Sequence, residues 1–253
     1  MQVSSVNSSL RALRRMLRLA VEWGALEVVP QIKLLPGERP GERVVTPEEE
    51  ARYLSAASEP LASIASVLAD TGLRPEECFR LSWDAVTWVN GRYGTLFVTH
   101  GKTAAARRVL PMTPRVRAIL ESHWERAGKA VESWIWPAPT PSGHVEVSSL
   151  RKQHTKAFEI IAERAAKNNQ KPVRPFVLYS LRHTFLTRLG KSGCDVWTLA
   201  RIAGRSQIQI SSRYVHPSDD AMFAAMSRLG GHKIGHSEKN EISENPNQRQ
   251  LTQ

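Results

Sequence analysis

Apolar residues recur at helical spacing over most of this chain, and the places where that period breaks mark its elements. From about Asn7 to Trp23, Leu10, Leu13, Leu17, Ala20 and Val21 share one side while Arg11, Arg14, Arg15 and Arg18 fill the others. The pattern predicts an amphipathic helix with a basic outer face. A solvated face is the default reading of such a charge run, and a DNA-contacting one is the alternative. Gly24 stops the helix, and residues 30–42, with Pro30, Pro36, Gly37, Pro40 and Gly41, read as an exposed linker with a domain boundary near residue 43. Thr46-Pro47 with Glu49 predicts a capped helix start. A second helix, with Leu61, Ile64, Ala65 and Leu68 on one face, runs into Thr71-Gly72-Leu73-Arg74, where Gly72 breaks it and Pro75 with Glu76 and Glu77 opens the next. Arg74 therefore lies in a turn, beside the positive end of the following helix.

The period then shortens to two. Val86–Val89, Leu96–Thr99 and Arg107–Leu110, punctuated by Asn90-Gly91 and His100-Gly101, predict a small antiparallel sheet with Lys102 at a hairpin turn. Thr113-Pro114 caps a helix to about Arg126, and residues 133–143 read as a loop. A further helix starts at Ser148 or Ser149, with Leu150, His154, Ala157, Phe158, Ile161 and Ala165 as its stripe. Residues 167–175 form a basic loop, short helices continue to about Leu229, and residues 230–253 carry too few apolar anchors to fold. The predicted class is mixed α+β and mostly helical, with a three-stranded antiparallel sheet.

Charge changes the picture more than length does. The 253 residues carry a formal net charge of +11 and a pI near 10.1, which suits a polyanionic partner whose counterions Lys and Arg displace. Cys78 and Cys194 form no CxxC pair, so neither a disulfide framework nor a metal site is expected, and no cofactor is called for. The N-terminus lacks a basic segment followed by an apolar core, and no apolar run approaches a membrane span. A soluble protein of a reducing cytoplasm is expected.

The candidate chemistry lies between Leu178 and His216. Leu178-Tyr179-Ser180-Leu181-Arg182-His183-Thr184-Phe185 is followed by Ala203-Gly204-Arg205-Ser206 and then Arg213-Tyr214-Val215-His216. Guanidinium groups are planar, permanently charged donors to phosphate oxygens. A tyrosine that attacks a phosphodiester conserves the bond energy as a phosphotyrosyl ester, so a broken strand can be resealed without ATP. With Thr71-Gly72-Leu73-Arg74-Pro75-Glu76-Glu77 and Gly101-Lys102-Thr103 upstream in this order, the sequence resembles the catalytic domain of the tyrosine recombinase (phage integrase) family over about residues 43–220.

That resemblance implies Arg74 and Arg182 as phosphate clamps, with Glu77 orienting Arg74. It implies Lys102 as the acid for the leaving 5′-oxygen, Tyr214 as the nucleophile, and His183 as a residue packed beneath the site. Two positions depart from the pattern, since Tyr179 and Arg205 stand where the family usually has histidine, or histidine or tryptophan at the second. Both can donate to phosphate, but neither accepts a proton readily at neutral pH. Slower catalysis is therefore expected. The resemblance further implies residues 1–42 as the remnant of an N-terminal DNA-binding helical domain plus linker, 43–229 as the catalytic domain and 230–253 as a tail. It implies double-stranded DNA as partner and a homo-oligomer, a tetramer, joined through the C-terminal segment with Met222, Phe223, Met226 and Leu229 as apolar contacts. The host is expected to be prokaryotic or phage, with the protein at the nucleoid. The leading expectation is a site-specific DNA recombinase or integrase. Its rivals are a truncated, catalytically impaired DNA-binding remnant of a mobile-element integrase and, third, a relaxing topoisomerase.

Overall fold

The computed structural model describes residues 3–38, 43–101, 104–206, 208–212, 214–215, 223 and 226–227. Its first helix, α1 (Val3–Glu22), begins four residues before the apolar period does. A polar residue anchors that end. Asn7 is buried, its Nδ2 donates to Leu35 O (3.0 Å) and Glu38 (2.8 Å), and its Oδ1 accepts from Leu35 N (2.8 Å). Arg11 pairs with Glu38 at 2.5 Å and Arg14 donates to Ile32 O. Residues 32–38 thus lie back along α1, mostly exposed, and two of its four arginines hold this return segment.

Helix α2 (Pro47–Ala56) begins at Thr46, whose hydroxyl accepts from Glu49 N (3.2 Å) while Glu49 accepts from Thr46 N (3.1 Å). Helix α3 (Leu61–Thr71) is apolar on nearly every side and occupies the centre, packed against α5 (Pro114–Arg126) and α7 (Tyr179–Lys191). Short α4 (Pro75–Phe79) follows the Gly72 turn. Strands β1 (Val86–Thr87), β2 (Thr95–Val98) and β3 (Arg108–Pro111) form an antiparallel sheet in that order, with Leu96 opposite both Val86 and Leu110 and Val98 opposite Arg108. β1 ends earlier than its β-type residues suggest. The carbonyl of Trp88 is taken by the Arg117 guanidinium (2.7 Å) and its ring stacks on Trp124.

Helix α6 (Val147–Lys167) starts from Glu146 and packs on α2. Helices α8 (Val196–Ala203) and α9 (Gln209–Ser212) complete the fold around a smaller cluster of Leu186, Leu199, Ala203 and Tyr214. Glu50 on α2 ties the layers together, binding Arg188 of α7 (2.6 Å) and Arg115 of α5 (3.1 Å). Thr184 on α7 accepts from Val45 N (2.8 Å), which fixes the chain where it enters α2. Among the described residues no helix is long and apolar enough to cross a membrane.

Two histidines are built into the core side of this frame. His154 accepts from the Tyr53 hydroxyl at Nδ1 (2.6 Å) and donates from Nε2 to Phe176 O (2.8 Å), and burial pulls it below its ordinary 6.5. His123 contacts Ser63 Oγ (3.0 Å) and is lowered by burial and by Arg126, against a smaller opposing pull from Glu59. A histidine held below its unfolded value binds more protons when unfolded, so its contribution is complete above about pH 6.5 and is lost as pH falls through the depressed value. Urea midpoints are therefore expected to drop between about pH 7.5 and pH 5.5. A His123→Gln, His154→Gln double variant should flatten that slope, and an unchanged slope would locate the acid sensitivity elsewhere.

Candidate active site

Two helices that end on left-handed glycines create the site. Helix α3 ends at Gly72 (φ +63) and α8 at Gly204 (φ +61). The last carbonyls of a helix lack intrahelical partners and carry its negative dipole end. Arg182 satisfies one from each helix, with Nη1 donating to Gly72 O and Nη2 to Ala203 O, both at 2.6 Å. Arg74, extended at the start of α4 (φ −70, ψ 147), donates to the next carbonyl, Gly204 O, at 3.2 Å. Residues 110 and 130 positions apart are thereby joined.

Beneath them lies Glu77, only 6% exposed. One oxygen takes Arg74 Nη1 (2.5 Å) and the other takes Arg74 N (2.9 Å), which closes the N-terminus of α4. Arg108, from β3, binds the same carboxylate at 2.9 and 3.3 Å, and Arg182 Nη1 lies 3.9 Å from it. Burial alone would raise the Glu77 carboxyl, but the hydrogen bonds and charge of Arg108, with the hydrogen bonds of Arg74, hold it below the ordinary carboxylate range. Arg182 is lowered to about 10, first by burial and then by repulsion from Arg74, and stays charged at neutral pH.

Tyr214 follows α9 and is 5% exposed. Its hydroxyl lies 2.7 Å from His183 Nδ1, and the Arg205 guanidinium carbon sits 5.4 Å from its ring centroid. Tyr179, partly exposed, meets the His183 ring edge-on at 4.9 Å. Gly190 of α7 permits this packing, because a Cβ there would lie 1.9 Å from Tyr214 O.

The described residues singled out from sequence are thus linked by contacts around the Ala203–Arg205 turn, in two layers. Arg74, Arg205 and Tyr179 reach the surface, whereas Arg182, Glu77 and Tyr214 lie behind them. Lys102 lies outside the described residues, as do Met222 and Leu229; Phe223 and Met226 are 75% and 68% exposed. The hairpin residues His100, Gly101 and Ala106 line the same cleft as Arg74, about 730 Å³ in volume, together with Glu76 and Arg80. Two features escaped the sequence pattern. Arg108 looks like an ordinary edge-strand arginine, and its inward side appears only in the alternation with exposed Val109. His183 reads as packing beneath the site, although its position four residues after Tyr179 puts both rings on one face of α7.

A mostly helical domain with a three-stranded antiparallel sheet, arranged in this way, is the catalytic-domain fold of tyrosine recombinases. The chain belongs to the phage integrase family, whose model matches residues 43–221. Among curated relatives, a putative integrase/recombinase y4eF of Sinorhizobium fredii is 24% identical over 88% of this chain and 83% of its own length. The integrase of Salmonella phage P22 is also 24% identical, over 85% of this chain, which spans only 52% of the P22 protein. The Tn1549 transposon integrase, solved in complex with circular intermediate DNA, superposes with a TM-score of 0.71 at 20% identity, covering 90% of this chain and 81% of that one. XerA recombinase superposes at 0.51, with 21% identity over 89% and 76% of the two chains.

Helix propensity alone would favour Gly190→Ala by roughly 1 kcal/mol. The overlap with Tyr214 O is expected to reverse that sign by displacing the Tyr214 segment from α7. Amide hydrogen exchange should speed up around Tyr214 while α3 stays protected, and unchanged exchange would show that this contact does not hold the segment.

Proposed function

We propose that this protein is a site-specific DNA recombinase that breaks and rejoins strands through a 3′-phosphotyrosyl intermediate at Tyr214. The carrying observation is the convergence of Arg74 and Arg182 on consecutive carbonyls of the turn whose next residue, Arg205, covers the Tyr214 ring. Arg74 and Arg205 bind the non-bridging oxygens, and Arg182 holds the turn from behind and adds positive potential. Removing one donor of this kind typically costs about 3 kcal/mol in the transition state.

Tyr214 attacks phosphorus as its phenolic proton passes to His183 Nδ1, and the 5′-oxygen leaves with a proton from Lys102. Resealing runs the same steps backwards. A phenol with an ordinary pKa near 10 needs such an acceptor and a cationic surround. His183 supplies what Tyr179 and Arg205 cannot, and Tyr179 orients it. Because Tyr214 starts 5% exposed, the segment carrying it must swing outward to meet a duplex. The net charge of +11 and the DNA-bound Tn1549 integrase support double-stranded DNA as substrate. A tetramer joined through the segment holding Phe223 and Met226, and α1 as part of an N-terminal DNA-binding unit, complete the proposal.

Nicked duplexes taken from DNA flanking the gene should trap a covalent adduct with the wild-type chain and none with Tyr214→Phe. His183→Ala should slow adduct formation by roughly 10²- to 10⁴-fold. Salt-dependent duplex binding with no adduct would instead select a catalytically impaired DNA-binding protein.

A further inference from the structure

We propose that Arg108 is a positioning residue for strand cleavage: one buried guanidinium that sets the Arg74 clamp, the β2–β3 connection at Ala106 and the Arg205 turn in fixed relation. The inference rests on the phosphotyrosyl reading and names a residue outside it. Arg74, Lys102 and Arg205 arrive on three separate segments, and no two of these are joined by a continuous helix or strand. Arg108 touches all three. Its Nη1 and Nη2 bind both oxygens of Glu77, the carboxylate that holds Arg74. Nη1 also donates to Ala106 O at 2.8 Å, which closes the hairpin carrying Lys102, and Nε donates to Ile202 O at 2.7 Å in the last turn of α8.

Burial gives these contacts their weight. The residue is 6% exposed, so water cannot replace a lost partner. Gly204 is fitted to it, because a Cβ there would lie 2.6 Å from Arg108 Nη1. Charge matters as well. Arg108 offsets Glu77, so Arg74 need not spend its own charge neutralising that carboxylate. A lysine ammonium is a point donor and cannot span three acceptors on different segments, whereas the planar fork can. Being buried, Arg108 should act on rate and not on the grip of DNA.

The test compares Arg108→Lys and Arg108→Met with the wild-type chain, using single-turnover adduct formation on a nicked duplex, normalised to folded protein. Arg108→Lys is expected to lower the rate roughly 10- to 100-fold, with duplex affinity within about twofold. Arg108→Met should behave likewise with a lower melting temperature; if it does not fold, Arg108→Lys carries the test. A purely structural role would lower the melting temperature and leave the rate per folded molecule unchanged, which overturns the proposal. The second readout is the Arg74 side-chain Nε–H resonance, expected to shift in Arg108→Lys without DNA present. An unmoved Arg74 resonance also overturns it, even with a slower rate, because the effect would then not pass through Arg74. Should the wild-type chain form no adduct, the recombinase reading fails, while the Arg74 resonance still decides the role of Arg108.

Discussion

One buried carboxylate organises the site. Glu77 accepts from Arg74 and Arg108 and lies 3.9 Å from Arg182. Three guanidinium groups this close repel one another in a region of low dielectric, and they stay there because a fourth group of opposite sign sits between them. Burial tends to neutralise that carboxylate, and its arginine partners keep it ionised. Loss of one partner from such a buried pair typically costs about 3–5 kcal/mol. The arrangement is therefore strongly coupled, and its members are not independent residues.

The second constraint is the supply of orphan carbonyls where α3 and α8 terminate. Arg182 satisfies Gly72 O and Ala203 O, and Arg74 satisfies Gly204 O. The same contacts that stop two helices cleanly thus fix Arg74 at the cleft and Arg182 behind it. On the other side of the turn, Tyr214 rests in a small apolar cluster with its hydroxyl on His183, so the phenol proposed to attack is shielded from solvent beside an imidazole.

Much of the fold was legible because its signals are local. The capping box at Thr46, the glycine stop at Gly72 and the shift to period two near Val86 each depend on a few neighbouring residues, and the helices and sheet appear where those signals place them. The start of α1 was not, because Asn7 anchors it through hydrogen bonds to residues 28 and 31 positions away. Arg74, Arg182, Arg205 and Tyr214 could be singled out by type and order. What spacing could not show was depth. It does not separate Arg74, which borders the cleft, from Arg182, which touches no solvent. Nor does it reveal that Arg108 pairs with Glu77 across 31 residues, or that His183 faces Tyr214 across the same interval.

The central claim is that Glu77 serves the site through geometry, by holding guanidinium groups in place, even though its charge opposes theirs. Glu77→Gln separates the two effects, since it keeps the side chain's volume and removes one negative charge from the candidate site. The decisive measurement is the single-turnover rate of Tyr214–DNA adduct formation by the folded fraction of that variant. The account predicts a slower rate despite equal or tighter duplex binding. A rate equal to or above that of the wild-type chain would contradict it, and would mean that net charge, not the fixed arrangement around the carboxylate, governs the chemistry.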